Sequence, residues 1–176
     1  MAILSFAQTV DAMALGTSNK MKLVLVALPP KNNLPDKPKK RALQQWICEF
    51  SASRWNEVEV LFTWINYLAD PRSRDIIKQA TSLDDIHPVK RTPRKFLVVV
   101  NPVSGAGKSE RIYAKYIAPI FEFANIETEV RRSARPNHTT EIAMGVSLDE
   151  YNAIVVVGGD GSLCEVFQGL MQRKDW

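Results

Sequence analysis

Cysteine and histidine are scarce in this chain of 176 residues, which contains two of each. The cysteines, Cys48 and Cys164, lie far apart in the sequence and form no C-x-x-C pair. Neither a disulfide framework nor a zinc site is therefore predicted. The chain is expected to reside in a reducing compartment, such as the cytoplasm.

Long apolar runs are also lacking, since no stretch reaches the roughly 18 residues that a membrane-spanning helix needs. The N-terminal segment has no basic start, and Asp11 interrupts its apolar character. This pattern is not typical of a secretory signal. Any association with a membrane is expected to be peripheral.

Acidic residues are outnumbered by basic ones, 19 to 23, and the formal net charge is +4. The excess is concentrated in residues 20–41, where seven lysines and arginines accompany a single acid, Asp36. Two interpretations stay open: a solvated, flexible linker, or a segment that is weakly attracted to anionic lipid. No recognition motif accompanies the charge, so nucleic acid is not an expected partner.

The first half of the chain, residues 1–92, has no regular pattern. Residues 21–28 are typical of a strand, and residues 29–41, with four prolines, are typical of a linker. Apolar residues at helical spacing predict helices at residues 43–50 and 61–68, the second ending before Pro71. We expect a mostly helical N-terminal region of unclear fold, whose aromatic stripes belong to a core or, alternatively, to a lipid-contacting face.

Residues 93–176 alternate regularly between strand and helix patterns. Apolar runs predict strands at residues 95–101 and 153–157, and alternation predicts a half-buried strand at residues 126–131. Amphipathic spacing predicts helices at residues 109–124, 137–144 and 161–172. This order predicts an α/β domain built on a three-layer, Rossmann-like parallel sheet. Pro119 is expected to bend the first helix, and Asn137 is a candidate N-cap of the second. The apolar face of the first helix is predicted to comprise Ile112, Tyr116, Ile117, Ile120 and Phe121.

The loop after the first of these strands, Pro102-Val-Ser-Gly-Ala-Gly-Lys-Ser109, is rich in glycine. It ends as a P-loop does, but Pro102 stands where the pattern G-x-x-x-x-G-K-[ST] needs glycine. Because proline fixes φ and removes an amide donor, the P-loop cradle is not expected. The dinucleotide pattern G-x-G-x-x-G fails at Glu110. The loop is then either an anion site at a helix N-terminus or a plain turn.

A second glycine turn, Gly158-Gly-Asp-Gly161, follows the apolar run at residues 153–157. If the first and third strands are neighbours, both turns lie at the carboxyl edge of the sheet, where ligands bind in open α/β folds. Glycines leave the backbone amides uncovered, and the Asp160 carboxylate suits a magnesium-bound phosphate better than a free anion. The paired turns predict a phosphate cleft and nucleotide-dependent chemistry.

Five segments carry a family resemblance: Asn101-Pro-Val-Ser-Gly-Ala-Gly-Lys, Arg111-Ile-Tyr-Ala-Lys-Tyr-Ile-Ala-Pro-Ile-Phe, Pro136-Asn-His, Val157-Gly-Gly-Asp-Gly-Ser-Leu-Cys-Glu-Val and Gln168-Gly-Leu-Met-Gln-Arg-Lys-Asp-Trp. Together they resemble the diacylglycerol kinase type of lipid kinase catalytic domain. The branch that they resemble is that of the sphingosine and ceramide kinases. The resemblance covers residues 94–176 and corresponds to the N-terminal part of that domain.

This resemblance implies that ATP, with Mg²⁺, phosphorylates the hydroxyl group of a lipid substrate, a sphingoid base or ceramide. Asp160 stands at the position of the family's catalytic base, which accepts the hydroxyl proton. No residue is assigned as a metal ligand. The residues implied to line the nucleotide are Asn101, Pro102, Val103, Gly105, Gly107, Ser133, Asn137, Gly158, Gly159, Gly161, Ser162 and Glu165.

The chain departs from the family pattern at Ser133-Ala-Arg-Pro-Asn-His138, where Thr-Glu-Arg-x-Asn-His is usual, and at Ser162 and Gln168. The family continues with further strands and a β-rich lipid-binding domain, so a truncated kinase is expected. Two alternatives stay open. One is a non-catalytic nucleotide-binding or interaction fragment, which would associate with a full-length relative. The other is a soluble dinucleotide kinase of similar fold, since such enzymes also use Gly-Gly-Asp-Gly.

Overall fold

The chain forms two compact units, which divide between residues 92 and 93. The computed structural model describes residues 6–10, 20–27 and 43–175. The linker predicted at residues 29–41 lies outside the described residues. Among the described residues, no helix combines the length and the apolar character that crossing a bilayer requires.

The first unit contains a three-stranded antiparallel sheet followed by a helix. The strands β1 (Phe6–Val10), β2 (Lys20–Ala27) and β3 (Gln44–Ser51) pair in chain order. The helix α1 (Trp55–Ala69) follows a single turn of 3₁₀ helix. Further short helical segments come after it: Pro71–Ser73 and Leu83–Asp85 are 3₁₀ turns, and Arg74–Gln79 is the helix α2.

The strand predicted at residues 21–28 is confirmed as β2, but the helix predicted at residues 43–50 is wrong. That segment is β3, which pairs with β2 along its whole length. Cys48 and Phe50, two positions apart, share the face that packs against α1. The two-residue period of a strand thus prevails over the helical spacing, in a segment whose aromatic and β-branched residues favour strands. The expected mostly helical region therefore also holds a sheet.

The helix predicted at residues 61–68 is confirmed as part of α1, and it ends before Pro71 as expected. Of the residues whose helical spacing predicts this helix, Ile65 packs with Val58 and Phe62 onto Leu23, whereas Leu61 and Leu68 are exposed. Among the described residues, the apolar cluster between sheet and helix therefore centres on Leu23 and Val58.

The second unit is built on a parallel sheet of three strands in the order β5-β4-β6. These strands are β4 (Arg94–Val100), β5 (Ile126–Arg132) and β6 (Ala153–Val157). The central strand β4 carries the most deeply buried side chains, since Leu97, Val98, Val99 and Val100 are each 0% exposed. All three predicted strands and their parallel arrangement are confirmed.

Helices cover both faces of this sheet. On one face, Leu97 and Val99 pack against α6 (His138–Gly145) and α7 (Asp160–Met171) through Ile142 and Val166. On the other face, Val98 and Val100 pack against Tyr113. The predicted three-layer Rossmann-like α/β fold is therefore confirmed.

The helix predicted at residues 109–124 is interrupted rather than simply bent. After α3 (Ser104–Gly107), it runs as α4 (Ser109–Ile112), a π-helical turn (Tyr113–Ile117) and α5 (Ala118–Phe123). Pro119 occupies an early position of α5, where a missing N–H costs least. The predicted apolar face is wrong at Ile112 and Tyr116, which are exposed, because Tyr113 takes the buried position.

Candidate functional site

The two glycine turns lie side by side at the carboxyl edge of the second sheet. Val100 and Val157, the last residues of β4 and β6, are register partners. The next amide, that of Asn101, still donates to the carbonyl oxygen of Val157 at 3.0 Å. Both turns therefore begin from the same level of the sheet, as the sequence predicts for neighbouring strands.

The Asn101 side chain joins the first turn to α7. Its Oδ1 accepts a hydrogen bond from the Val103 amide at 3.2 Å, and its Nδ2 donates to Ser162 Oγ at 2.9 Å. Ser162 is buried in the first turn of α7. Asn101 therefore sets the shape of its own turn and fixes it to the helix that carries Asp160.

A second bridge between the turns comes from Ser104, which sequence reasoning did not select. Its Oγ accepts a hydrogen bond from the Gly159 amide at 2.6 Å, and its carbonyl oxygen accepts one from Ser109 Oγ at 3.1 Å. The sequence signal that could have found Ser104 is a serine at the start of a helix, where the hydroxyl oxygen often accepts a hydrogen bond from a backbone amide. Here the accepted amide belongs to the other turn.

Gly158 permits the close approach of β6 and α7. A Cβ atom there would lie 2.7 Å from Ser162 Oγ and 2.8 Å from Ser162 Cβ. At Gly161, by contrast, an added Cβ would meet nothing within 4 Å. The turn therefore combines one glycine that packing requires with another that leaves the start of α7 open.

Asp160 is the first residue of α7, and its side chain is exposed. Its Oδ1 accepts a hydrogen bond from the adjacent Gly161 amide at 2.8 Å. A carboxylate at a helix N-terminus is favoured by the positive end of the helix dipole. Asp160 is thus an exposed, oriented carboxylate at the rim of the paired turns.

Of the other residues implied by the resemblance, Pro102, Val103, Gly105 and Gly107 form the first turn and α3. Gly107 ends α3 with a positive φ of 69°. Val103 is 85% exposed beside the turn. These residues surround the same end of β4 as Asn101.

The segment after β5 also reaches this edge. The Ser133 amide donates to the carbonyl oxygen of Val100 at 3.0 Å, so the buried Ser133 lies next to the first turn. Asn137 directly precedes α6, as predicted, but its side chain does not cap the helix, and its φ is 61°. The local hydrogen bond of this segment comes from His138 instead. Its Nδ1 accepts from the Ala134 amide at 3.0 Å and so joins the two ends of the segment between β5 and α6.

Glu165 lies one turn further along α7 and faces α6. Its carboxylate accepts a hydrogen bond from Thr139 Oγ1, and its carbonyl oxygen accepts one from Thr140 Oγ1 at 3.0 Å. Thr139 is 0% exposed. Among the described residues, these bonds connect Glu165 to α6 rather than to either turn, and no local sequence signal singled out Thr139.

Ion pairs border the site. Arg132 Nε lies 2.6 Å from Glu110 Oε1, which connects the end of β5 to α4, and Arg135 pairs with Glu141 through two hydrogen bonds. The bond from Arg135 lowers the pKa of the Glu141 carboxyl, and the bond to Glu110 raises the pKa of Arg132. Arg132, Arg135 and Glu141 therefore stay charged at neutral pH, and both arginines lie close to the Ser133 segment.

Parallel strands, helices on both faces and glycine turns at the carboxyl edge define the second unit as an α/β domain with an open edge site. Residues 95–176 match the diacylglycerol kinase catalytic domain. This part of the chain is therefore similar to the catalytic domain of that family of lipid kinases.

Curated relatives of this family are sphingosine and ceramide kinases. Sphingosine kinase 1 of Arabidopsis thaliana is 40% identical over 84 residues, which are 48% of this chain and 17% of the relative. Human sphingosine kinase 2 is 37% identical over 84 residues, 48% of this chain and 13% of the relative.

Human ceramide kinase is 32% identical over 129 residues, which are 68% of this chain and 21% of the relative. Because the second unit holds only residues 93–176, this match extends into the first unit. The chain spans about a fifth, or less, of the length of the relatives it matches.

Proposed function

We propose that the paired turns bind the phosphates of Mg-ATP and that the second unit is a nucleotide-binding lobe of a lipid kinase. The observation that carries this proposal is the double bridge between the turns, Asn101 to Ser162 and Ser104 to Gly159. These bonds hold two glycine turns and a helix N-terminus in a fixed arrangement, as a phosphate site needs.

The residues present fit a nucleotide that carries Mg²⁺. Mg²⁺ is usually held by one or two carboxylates together with substrate phosphates and water. Asp160 offers one exposed carboxylate, and no cluster of three or more potential metal ligands occurs in the described part of the chain. The ion would therefore arrive with the nucleotide, and it would neutralise the phosphate charge that Asp160 alone would repel.

Asp160 is proposed to act as the general base. As the oxygen of a lipid hydroxyl forms a bond to the γ-phosphorus, the bond to the leaving oxygen of ADP breaks, and the hydroxyl proton passes to the Asp160 carboxylate. The remaining nucleotide contacts are proposed for the residues of the two turns, for Ser133 and Asn137 after β5, and for Glu165.

The proposed acceptor is a sphingoid base or ceramide, because the relatives are named sphingosine kinase and ceramide kinase. A lipid acceptor is consistent with a cytoplasmic protein that meets membranes peripherally. Since the chain spans about a fifth of these relatives, catalysis by this chain alone is a separate proposal. A nucleotide-binding fragment that associates with a full-length relative is the alternative.

The experiment that tests this function incubates the full chain with Mg-ATP labelled in the γ-phosphate and with separate acceptors. The acceptors are sphingosine, ceramide and diacylglycerol in micelles, and NAD in solution. We expect label on sphingosine or ceramide, and a raised melting temperature with Mg-ATP. Label on NAD alone would establish the dinucleotide kinase instead. Stabilisation by Mg-ATP without transfer would establish the non-catalytic fragment, and the absence of both would refute the proposal.

A further inference from the structure

The Glu165 side chain is anchored at one carboxylate oxygen only. Its Oε2 accepts the hydrogen bond from Thr139 Oγ1, whereas Oε1 has no hydrogen-bond partner or ion pair in the described part of the chain. Glu165 is half-buried, and its partner Thr139 is fully buried. Because each oxygen of an ionised carboxylate can accept hydrogen bonds, Oε1 is available to a bound molecule.

The Glu165 carboxylate lies at the edge of the sheet that holds the paired turns. Side chains of a helix lean towards its N-terminus, and α7 begins at this edge with Asp160. The partner Thr139 marks the same level, because it is the second residue of α6, which also begins at this edge. The carboxylate therefore lies beside the start of α6 and close to the segment at residues 133–137.

Two neighbouring threonines of α6 fix Glu165 in different ways. Thr140 Oγ1 donates to the carbonyl oxygen of Glu165 at 3.0 Å, so it holds the backbone. Thr139 holds the carboxylate instead. Without the Thr139 hydroxyl, the Glu165 side chain could take other rotamers and turn towards solvent. The direction of Oε1 thus depends on one buried hydroxyl group.

A carboxylate at this place suits the nucleoside part of a nucleotide rather than its phosphates. A carboxylate accepts hydrogen bonds and donates none, and it repels negative charge. Adenosine offers donors in its ribose hydroxyls and in the amino group of adenine. The phosphates belong at the glycine turns, where backbone amides and a helix N-terminus favour anions.

We propose that Thr139 is a positioning residue for nucleotide binding, which aims Oε1 of Glu165 at a hydrogen-bond donor of the nucleoside. Thr139 does not touch the nucleotide itself. The inference rests on the proposed function, because it needs a nucleotide at the paired turns. It brings α6 into the nucleotide site through a single buried hydroxyl group.

The test measures the affinity of the full chain for Mg-ATP by calorimetry, together with the melting temperature of each variant. Thr139→Val keeps the shape of the side chain and removes its hydroxyl, whereas Thr139→Ser keeps the hydroxyl. The matched control is Thr140→Val, which removes the bond to the Glu165 carbonyl oxygen and leaves the carboxylate anchored.

We expect Thr139→Val to weaken the binding of Mg-ATP by about tenfold, and Thr139→Ser to restore most of the affinity. Thr140→Val should lower the melting temperature to a similar extent and leave the affinity nearly unchanged. If Thr139→Val does not fold, as judged by circular dichroism, Thr139→Ala provides the same comparison.

Two further comparisons trace the effect to its atoms. In a Glu165→Ala background, Thr139→Val should cost no further affinity, because the hydroxyl acts through the carboxylate. Analogues of ATP that each lack one ribose hydroxyl or the adenine amino group identify the contacted donor. Thr139→Val and the wild-type chain should bind the analogue without that donor equally well.

A wild-type chain that does not bind Mg-ATP would overturn the proposed function and this inference with it. Where Mg-ATP binds, unchanged affinity in Thr139→Val or an equal loss in Thr140→Val would overturn this inference alone. The same holds for a loss that persists in the Glu165→Ala background or with every analogue.

Discussion

Replacing Gly169 with alanine is expected to lower the free energy of unfolding of the second unit by about 2 kcal/mol. A Cβ atom at this position would lie 2.4 Å from the backbone oxygen of Thr140 and 2.8 Å from Ala143 Cβ. Alanine is favoured over glycine in a helix by roughly 1 kcal/mol, but the clash involves the backbone of α6, which cannot rotate away. We expect the clash to exceed this gain and to push α7 from α6.

The matched control is Gly145→Ala, at the end of α6, where an added Cβ would meet nothing within 4 Å. Its stability should change little or rise slightly. Amide hydrogen exchange of β4 in increasing urea measures both variants, because β4 is the buried centre of the unit. Equal stability of the two variants would show that the contact between α6 and α7 is looser than the structure has it.

The substitution Asp160→Asn is expected to reduce phosphoryl transfer by about 100-fold or more and to leave Mg-ATP affinity within a few fold. Asparagine has the same shape, and its Oδ1 can still accept the Gly161 amide hydrogen bond. It cannot accept the proton of the lipid hydroxyl, so only the chemical step should suffer.

The control for this variant is Asp149→Asn, an exposed aspartate on the 3₁₀ turn Leu148–Glu150, which should retain full transfer. Rates are measured with whichever acceptor the wild-type chain phosphorylates, and affinity is measured by calorimetry. Transfer by Asp160→Asn at the wild-type rate would exclude Asp160 as the base. A loss of affinity as large as the loss of rate would assign it a binding role.

The second unit could be predicted well from sequence because β4 and β6 contain short apolar runs, β5 alternates between apolar and polar residues, and helical patterns separate the strands. The runs at β4 and β6 are apolar on both faces, so their composition alone identifies them. Their adjacency follows from parallel topology, and it brings the two glycine turns together. The glycine turns and the Asp160 carboxylate thus indicated the edge of the sheet at which the candidate site lies.

The failures have a physical pattern as well. At residues 43–50, the spacing of Leu43, Trp46, Ile47 and Phe50 favours a helix, and only pairing with β2 makes the segment a strand. At Ile112 and Tyr116 the π-helical turn departs from regular helix geometry, which no spacing rule anticipates. Ser104 and Thr139 act through partners 55 and 26 residues away, so their roles depend on tertiary contacts.

The measurement that tests the central claim most directly is amide hydrogen exchange of the full chain with and without Mg-ATP. A nucleotide held by the paired turns should slow the exchange of Asn101, Val103, Ser104 and residues 158–162 together, because bound phosphates restrict the local opening of both turns. The Ser104→Ala variant should show weaker protection of both turns. Saturable binding that leaves these residues unprotected, or protects only the first unit, would contradict a phosphate site at the carboxyl edge of β4 and β6.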